Sequence, residues 1–144
     1  MKMCCNEESM RNWGLLFLRI AVGIIFIYHG WGKLNGIEQT AGFFDKTGIP
    51  FAGFMAWVVA LVEFLGGIAV LLGVFTRLAA KLLAIVMIVA LLTAHMGGPW
   101  KSAELPIALL GGLLALWGVG GGKWQILKQE CLSWCKTCPT PGKK

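Results

Sequence analysis

Residues 19–33 read RIAVGIIFIYHGWGK, from Arg19 to Lys33. An apolar run carries a cation at one end and a His-Gly-Trp-Gly-Lys exit at the other. Water-soluble folds have little use for such a stretch. A membrane helix with a polar lining does, because an ionisable residue inside a span is costly and marks a site or a pair.

The composition agrees. Of the 144 residues, 57% are hydrophobic and 14% charged, well below the usual charged share of about 25%. One domain of this length cannot hide so much apolar surface, so the excess has to face lipid. The net charge of +6 raises nucleic acid as a partner. The cations, however, are spread along the chain and flank apolar runs, and no basic patch on a nucleic-acid fold is visible. That placement suits membrane topology and excludes a nucleic-acid role.

Outward from the opening stretch, residues 1–12 form a polar leader. Residues 13–122 form a membrane domain, and residues 123–144 a basic tail with cysteines. Four apolar segments are predicted: Trp13 to Trp31, Phe51 to Phe75, Arg77 to Met96 and Glu104 to Gly120. Each approaches the roughly 20 residues a helix needs to cross hydrocarbon. Backbone groups in lipid must satisfy themselves, and the runs show no period-two polarity, so helices are expected. The fold class is therefore all-α, an integral membrane bundle of four transmembrane helices. No cleavable signal is expected, since the first run exceeds a signal core of about 7–15 residues. Cys4 and Cys5 follow no apolar segment and do not make a lipoprotein site.

The connections fit. Asn35 to Pro50 carries turn signals around Phe43 and Phe44 and leaves room for a short interfacial helix. Gly73 to Arg77 is a tight turn, so the second and third segments should be antiparallel neighbours. Pro106 falls in a first helical turn, where a missing N–H costs little. Tryptophans gather near segment ends, as an aromatic belt requires. With the N-terminus inside, Lys2, Arg11, Arg77, Lys81, Lys123, Lys128, Lys136, Lys143 and Lys144 fall inside, and Lys33, Lys46 and Lys101 outside. The bias predicts both termini in the cytoplasm of a multi-pass inner-membrane protein.

Polar residues within the spans are the candidate site. Arg19 lies twelve residues before Trp31, and Glu63 twelve after Phe51, both roughly 18 Å below the outer edge. Matched depth and opposite charge predict an Arg19–Glu63 pair facing the interior. It would be either a polar site for a lipid-soluble redox ligand or proton step, or an ion pair fixing register. His29 and His95 fall near the outer ends of two helices, with Glu104 and Lys33 on the same side. Together they could hold a quinone headgroup or relay protons. Two histidines also invite an axial haem, a weaker assignment than the headgroup. The exits His29-Gly-Trp-Gly-Lys and His95-Met-Gly-Gly-Pro-Trp-Lys echo each other weakly.

Other motifs carry less. Gly118 to Lys123 is not a phosphate loop, because Trp124 stands where Ser or Thr is needed. Cys131, Cys135 and Cys138 match an iron–sulfur loop spacing, but without the barrel usually attached to it. They are weak metal candidates, and Cys4 or Cys5 could fill an open position. Cytoplasmic thiols stay reduced, so disulfides are not expected.

In order along the chain, Leu18-Arg19-Ile20-Ala21-Val22-Gly23, His29-Gly30-Trp31-Gly32-Lys33, Gly48-Ile49-Pro50, Glu63-Phe64-Leu65-Gly66-Gly67, Leu72-Gly73-Val74-Phe75-Thr76-Arg77, His95 and Glu104-Leu105-Pro106 resemble the DoxX family. The resemblance covers roughly residues 13–120 and leaves the cysteine tail outside. It implies a small four-helix membrane protein. Relatives are similar to a subunit of thiosulfate:quinone oxidoreductase, or are implicated in membrane complexes with superoxide dismutase and a sulfurtransferase. The positions it carries over are Arg19, His29, Lys33, Glu63, Arg77, His95 and Glu104.

Two functions compete. The first is a subunit of a quinone-linked redox or oxidative- and thiol-stress system, with Arg19, His29, Lys33, Glu63, His95 and Glu104 contacting a quinone-like ligand. Its own activity stays open, and quinone fits better than haem or an iron–sulfur cluster. The second is a non-enzymatic membrane scaffold whose cysteine-bearing tail recruits soluble redox partners. Small-solute passage ranks below both, since four short helices enclose little space. Expected partners are the bilayer and either other redox subunits or a second copy of the chain.

Overall fold

The computed structural model describes residues 3–95 and 103–126. Among the described residues the chain is all-helical, with five helices. These are α1 (Met3–Asn35), α2 (Ile37–Lys46), α3 (Ala52–Leu72), α4 (Thr76–His95) and α5 (Glu104–Val119). The predicted short helix between Asn35 and Pro50 is α2. Helix α1 begins at Met3, within the polar leader.

Three helices are long and apolar enough to cross a membrane, over Met10–Asn35, Ala52–Leu72 and Thr76–Thr93. This is a multi-pass membrane protein. The 16 residues of α5 reach about 24 Å, short of a full hydrocarbon core. The outer surface is apolar, with Phe17, Ile24, Leu65, Ile85 and Leu92 all exposed. In water that surface would drive aggregation; in a bilayer it meets acyl chains.

Inside, each helix shows a narrow stripe. On α1 the buried positions among the described side chains are Leu15, Arg19, Val22, Gly23, Phe26 and Gly30. On α3 they are Ala56, Ala60, Glu63, Gly67 and Val70. Steps of four and three are the seam of left-handed helix packing. Arg19 and Glu63 thus occupy interior positions of their helices, not lipid-facing ones.

Missing side chains set the register between α1 and α3. A Cβ on Gly30 would lie 2.5 Å from the Phe64 backbone N, one on Gly67 2.8 Å from the Ile27 N, and one on Gly23 2.9 Å from the Leu71 Cβ. As α1 numbers rise, α3 numbers fall, so the pair is antiparallel and in backbone contact, as small-residue seams allow. Gly66 packs against Leu83 of α4, and Gly112 of α5 against Val22 and Leu18 of α1. Leu83, Met87, Leu109, Leu113 and Leu116 complete the core.

The α3–α4 link is the expected tight turn. Gly73 takes a left-handed φ of 74°, its N–H donates to the Val70 carbonyl, and the Val74 N–H donates to the Ala69 carbonyl. A Cβ here would also strike the Arg19 guanidinium, so glycine is required twice over. Phe51 (φ 54°) and Phe75 (φ 46°) are left-handed too, an uncommon conformation for bulky residues. They stand immediately before α3 and α4.

Candidate functional site

The expected Arg19–Glu63 pair is not formed. Lys33 Nζ donates to Glu63 Oε1 at 2.5 Å. Arg19 instead donates to backbone carbonyls: Nε to Val70 (3.0 Å), one terminal nitrogen to Leu71 (3.0 Å), the other to Gly121 (3.1 Å) and Trp124 (2.9 Å). The physical reason is register. The glycine contacts set Glu63 beside residues 30–33 and set Arg19 beside the end of α3. Fourteen residues separate Arg19 from Lys33, about 21 Å of helix. The matched-depth estimate took Trp31 as the outer end of α1, but the helix runs on to Asn35.

Arg19 is buried, at 1% exposure, and its charge is met by four carbonyl oxygens. Two of them belong to the last turn of α3, where carbonyls lack intrahelical partners and the helix dipole is negative. The other two belong to the strand of loop leaving α5. Arg19 therefore fastens three parts of the chain together. Its donors are committed to the backbone, which makes it a positioning residue.

The carboxylate has a different character. Glu63 is 1% exposed, and its second oxygen, Oε2, has no hydrogen-bond partner. A buried oxygen without a donor is expensive to keep. Lys33, its partner, is 30% exposed along its side chain, so the pair runs from the interior to the surface. Phe64 beside it stacks with the exposed Trp31, centroids 5.8 Å apart. This arrangement offers a charged acceptor inside and a cation at the rim, which suits a polar headgroup on an apolar carrier, or a proton.

Of the remaining predicted residues, His29 and Glu104 are exposed. His29 meets Tyr28 edge-on at 5.9 Å. It lies one turn before Lys33 on α1. Glu104 is exposed in the first turn of α5. His95 closes α4, and its side chain lies outside the described residues. So do Cys131, Cys135 and Cys138. Among the described residues no three His, Cys, Asp or Glu side chains are placed to hold a metal ion.

At the other end, Lys81 lies over the Trp117 ring at 5.4 Å, and Trp13 meets Trp124 at 6.1 Å. A cation over a tryptophan, and tryptophans near helix ends, are the pattern of a membrane–water interface. Thr76 Oγ1 is a second buried oxygen without a partner, beside Gly121. The partnership of Lys33 with Glu63 escaped the sequence. The signal that could have found it is the spacing of Gly23, Gly30 and Gly67, which sets the register.

Against known proteins, the model of the family described as DoxX matches residues 14–96. The chain is 41% identical over 98 residues to "Putative oxidoreductase CatD" of Bacillus subtilis, covering 67% of this chain and 72% of that one. It is 41% identical over 73 residues to "Inner membrane protein YqjF" of Escherichia coli, covering 51% and 55%. An uncharacterized membrane protein of Mycobacterium tuberculosis is 32% identical over 127 residues, covering 78% of each. No solved structure matches the chain.

Proposed function

The chain belongs to the DoxX family of membrane proteins, and on that premise we propose that it is a membrane subunit of a quinone-linked redox system. Its ligand site is the Lys33–Glu63 pair. The observation that carries this reading is the unpartnered Oε2 of a carboxylate at 1% exposure, joined to a cation that reaches the surface. A buried ionisable group in a membrane bundle marks a ligand or proton path more readily than a structural need. The name of the CatD relative as an oxidoreductase supports redox chemistry. His29, one turn from Lys33, sits at the rim of this site, and His95 and Glu104 belong to the same end of the bundle. Arg19 serves it by holding α1 and α3 in register.

In this reading α5 is the fourth span, with the bilayer thinning slightly to meet it. Both termini are cytoplasmic. The bias of Lys and Arg toward that side, Lys81 beside Trp117 among them, supports this.

The test is direct. The protein purified in lipid should carry a co-purifying quinone, detected by mass spectrometry and by its absorption spectrum. Glu63→Gln should reduce the amount retained at least about tenfold. Protein that carries no quinone under any growth condition would overturn the reading.

A further inference from the structure

The Arg19 end of the bundle carries charge of one sign. Positions 11–19, 73–81 and 117–126 meet there, since Gly73 closes on Arg19, Gly120 on Arg77, and Gly122 on Leu15 and Asn12. These three stretches hold Arg11, Arg19, Arg77, Lys81 and Lys123 and not one acidic residue. Arg19 is met by carbonyls. The other four make a basic rim, which draws anions.

One place on this rim is built to receive one. Helix α4 begins at Thr76, directly after Phe75, whose ring can cap nothing, and its first turn holds no acidic residue. A helix start favours negative charge. Thr76 is 1% exposed, and its Oγ1 has no hydrogen-bond partner, a cost that a ligand oxygen would remove. A Cβ on Gly121 would lie 2.8 Å from Thr76 Oγ1 and as close to the Gln125 amide, and one on Gly120 would lie 3.4 Å from Arg77 Nε. Three side chains thus converge on the glycine turn. With its amide oxygen turned inward, Gln125 accepts the Gly122 N–H at 3.1 Å and the Gly121 N–H as well. Successive N–H groups aimed at one oxygen form an anion-binding concavity, filled here by a neutral amide. The turn reaches the surface: Arg77, Gly122 and Gln125 are half-buried, and Lys123 is exposed.

The surface leading away from the turn says which anion. Arg77 and Lys81 stand one turn apart on α4, and Leu78, Leu82 and Ile85, all exposed, continue that face. Charge at the end and apolar surface beyond it match a phospholipid, headgroup first and acyl chain after. Free phosphate would use only the first part. Basic pockets between membrane helices hold anionic headgroups in this way.

We infer that the turn at residues 120–122 and the start of α4 bind the phosphate of an anionic phospholipid. Arg77 and Lys123 supply charge. The Thr76 hydroxyl and the Gly121 and Gly122 N–H groups donate to the phosphate oxygens, which displace the Gln125 amide. An acyl chain lies along Leu78, Leu82 and Ile85. This site is separate from the Lys33–Glu63 pair and does not depend on the quinone-linked reading.

Native mass spectrometry of the full chain in neutral detergent tests it, titrating phosphatidylglycerol and phosphatidylcholine with the same acyl chains. The first phosphatidylglycerol should bind at least about fivefold more tightly, the worth of about one Lys or Arg beside an anionic lipid. Thr76→Val keeps the shape and removes the hydroxyl. It should weaken phosphatidylglycerol at least about fivefold, while the melting temperature without lipid holds or rises. A residue with a structural role alone would not separate the two readouts. Gln125→Ala vacates the acceptor position and should tighten binding. Arg77→Gln and Lys123→Gln should each weaken it, and Lys46→Gln, an equal change of charge on α2, should not. If Arg77→Gln fails to fold, Thr76→Val and Lys123→Gln still decide. Equal binding of the two lipids would overturn the inference. So would a preference untouched by Thr76→Val and Lys123→Gln, a loss as large in Lys46→Gln, or weaker binding by Gln125→Ala. Inorganic phosphate that displaces phosphatidylglycerol at equal concentration would overturn the lipid as occupant.

Discussion

Lys33 of α1 donates to Glu63 of α3 one turn beyond the point where Gly30 brings the two helices into backbone contact. Contact and charge pair are one device. The glycine removes the side chain that would hold the helices apart, and the approach lets a lysine stem reach a carboxylate on the facing stripe.

Removing one partner should therefore cost more than removing both. Lys33→Met alone or Glu63→Gln alone is expected to destabilise the bundle by about 3 kcal/mol, because a buried charge or dipole is left alone. The double variant Lys33→Met/Glu63→Met should recover much of that loss. Reversible unfolding in mixed micelles measures the cycle. Additive losses would show that the two side chains do not interact.

Arg19 makes a different prediction, because its task depends on shape. Four carbonyls in fixed directions suit a planar fork, and a lysine ammonium cannot reach them all. Arg19→Lys keeps the charge and should still lose at least about 2 kcal/mol, the worth of one or more hydrogen bonds to a charged group. Amide exchange in residues 120–126 should speed up in the same variant. Exchange unchanged there would contradict the fastening of the loop by Arg19.

The glycines divide into two sets by what surrounds them. Gly30→Val puts atoms against the Phe64 backbone and should cost about 1–3 kcal/mol by overpacking. Gly14 and Gly111 have open space where a Cβ would stand. Gly14→Ala and Gly111→Ala should gain up to about 1 kcal/mol each from helix propensity. Thermal melts in one detergent compare the sets, and equal losses in both would contradict the assigned register.

Phe51 offers a route to a more stable protein. A bulky residue in the left-handed region carries roughly 1–2 kcal/mol of backbone cost, and asparagine tolerates that region better. Phe51 is 83% exposed, so little packing is lost on replacement. Phe51→Asn should raise the unfolding free energy by about 1 kcal/mol in detergent. A lowered melting point would show that the ring itself anchors the start of α3.

Much of the fold was legible from residue pattern. The limits of α3, α4 and α5 follow from where Gly, Pro and charged residues interrupt apolar runs, and the α3–α4 turn follows from its shortness. The interior placement of Arg19 and Glu63 was legible too, since neither charge is tolerable against lipid. Their pairing was not. Depth estimated from segment ends treats each helix as a separate rod whose ends share a plane. Here α1 continues past Trp31 to Asn35, and α2 follows and packs on α3. The vertical offset between α1 and α3 comes from which glycines touch which backbone. That is a property of two segments together, and neither run displays it alone. Within the predicted group of His29, His95, Glu104 and Lys33, Lys33 pairs with Glu63 while His29 is exposed. Residues at one level of a bundle can face different directions, and Lys33 turns inward while His29 does not.

Arg19 also imposes an order of assembly. The guanidinium is synthesised with the first helix, but two of its four acceptors, Gly121 and Trp124, are made near the end. While the ribosome is still short of residue 121, the arginine holds only half of its final acceptors. A nascent chain halted there would keep a half-satisfied cation within the bilayer. Completion of synthesis, more than insertion of any one helix, is then the event that locks the assembly.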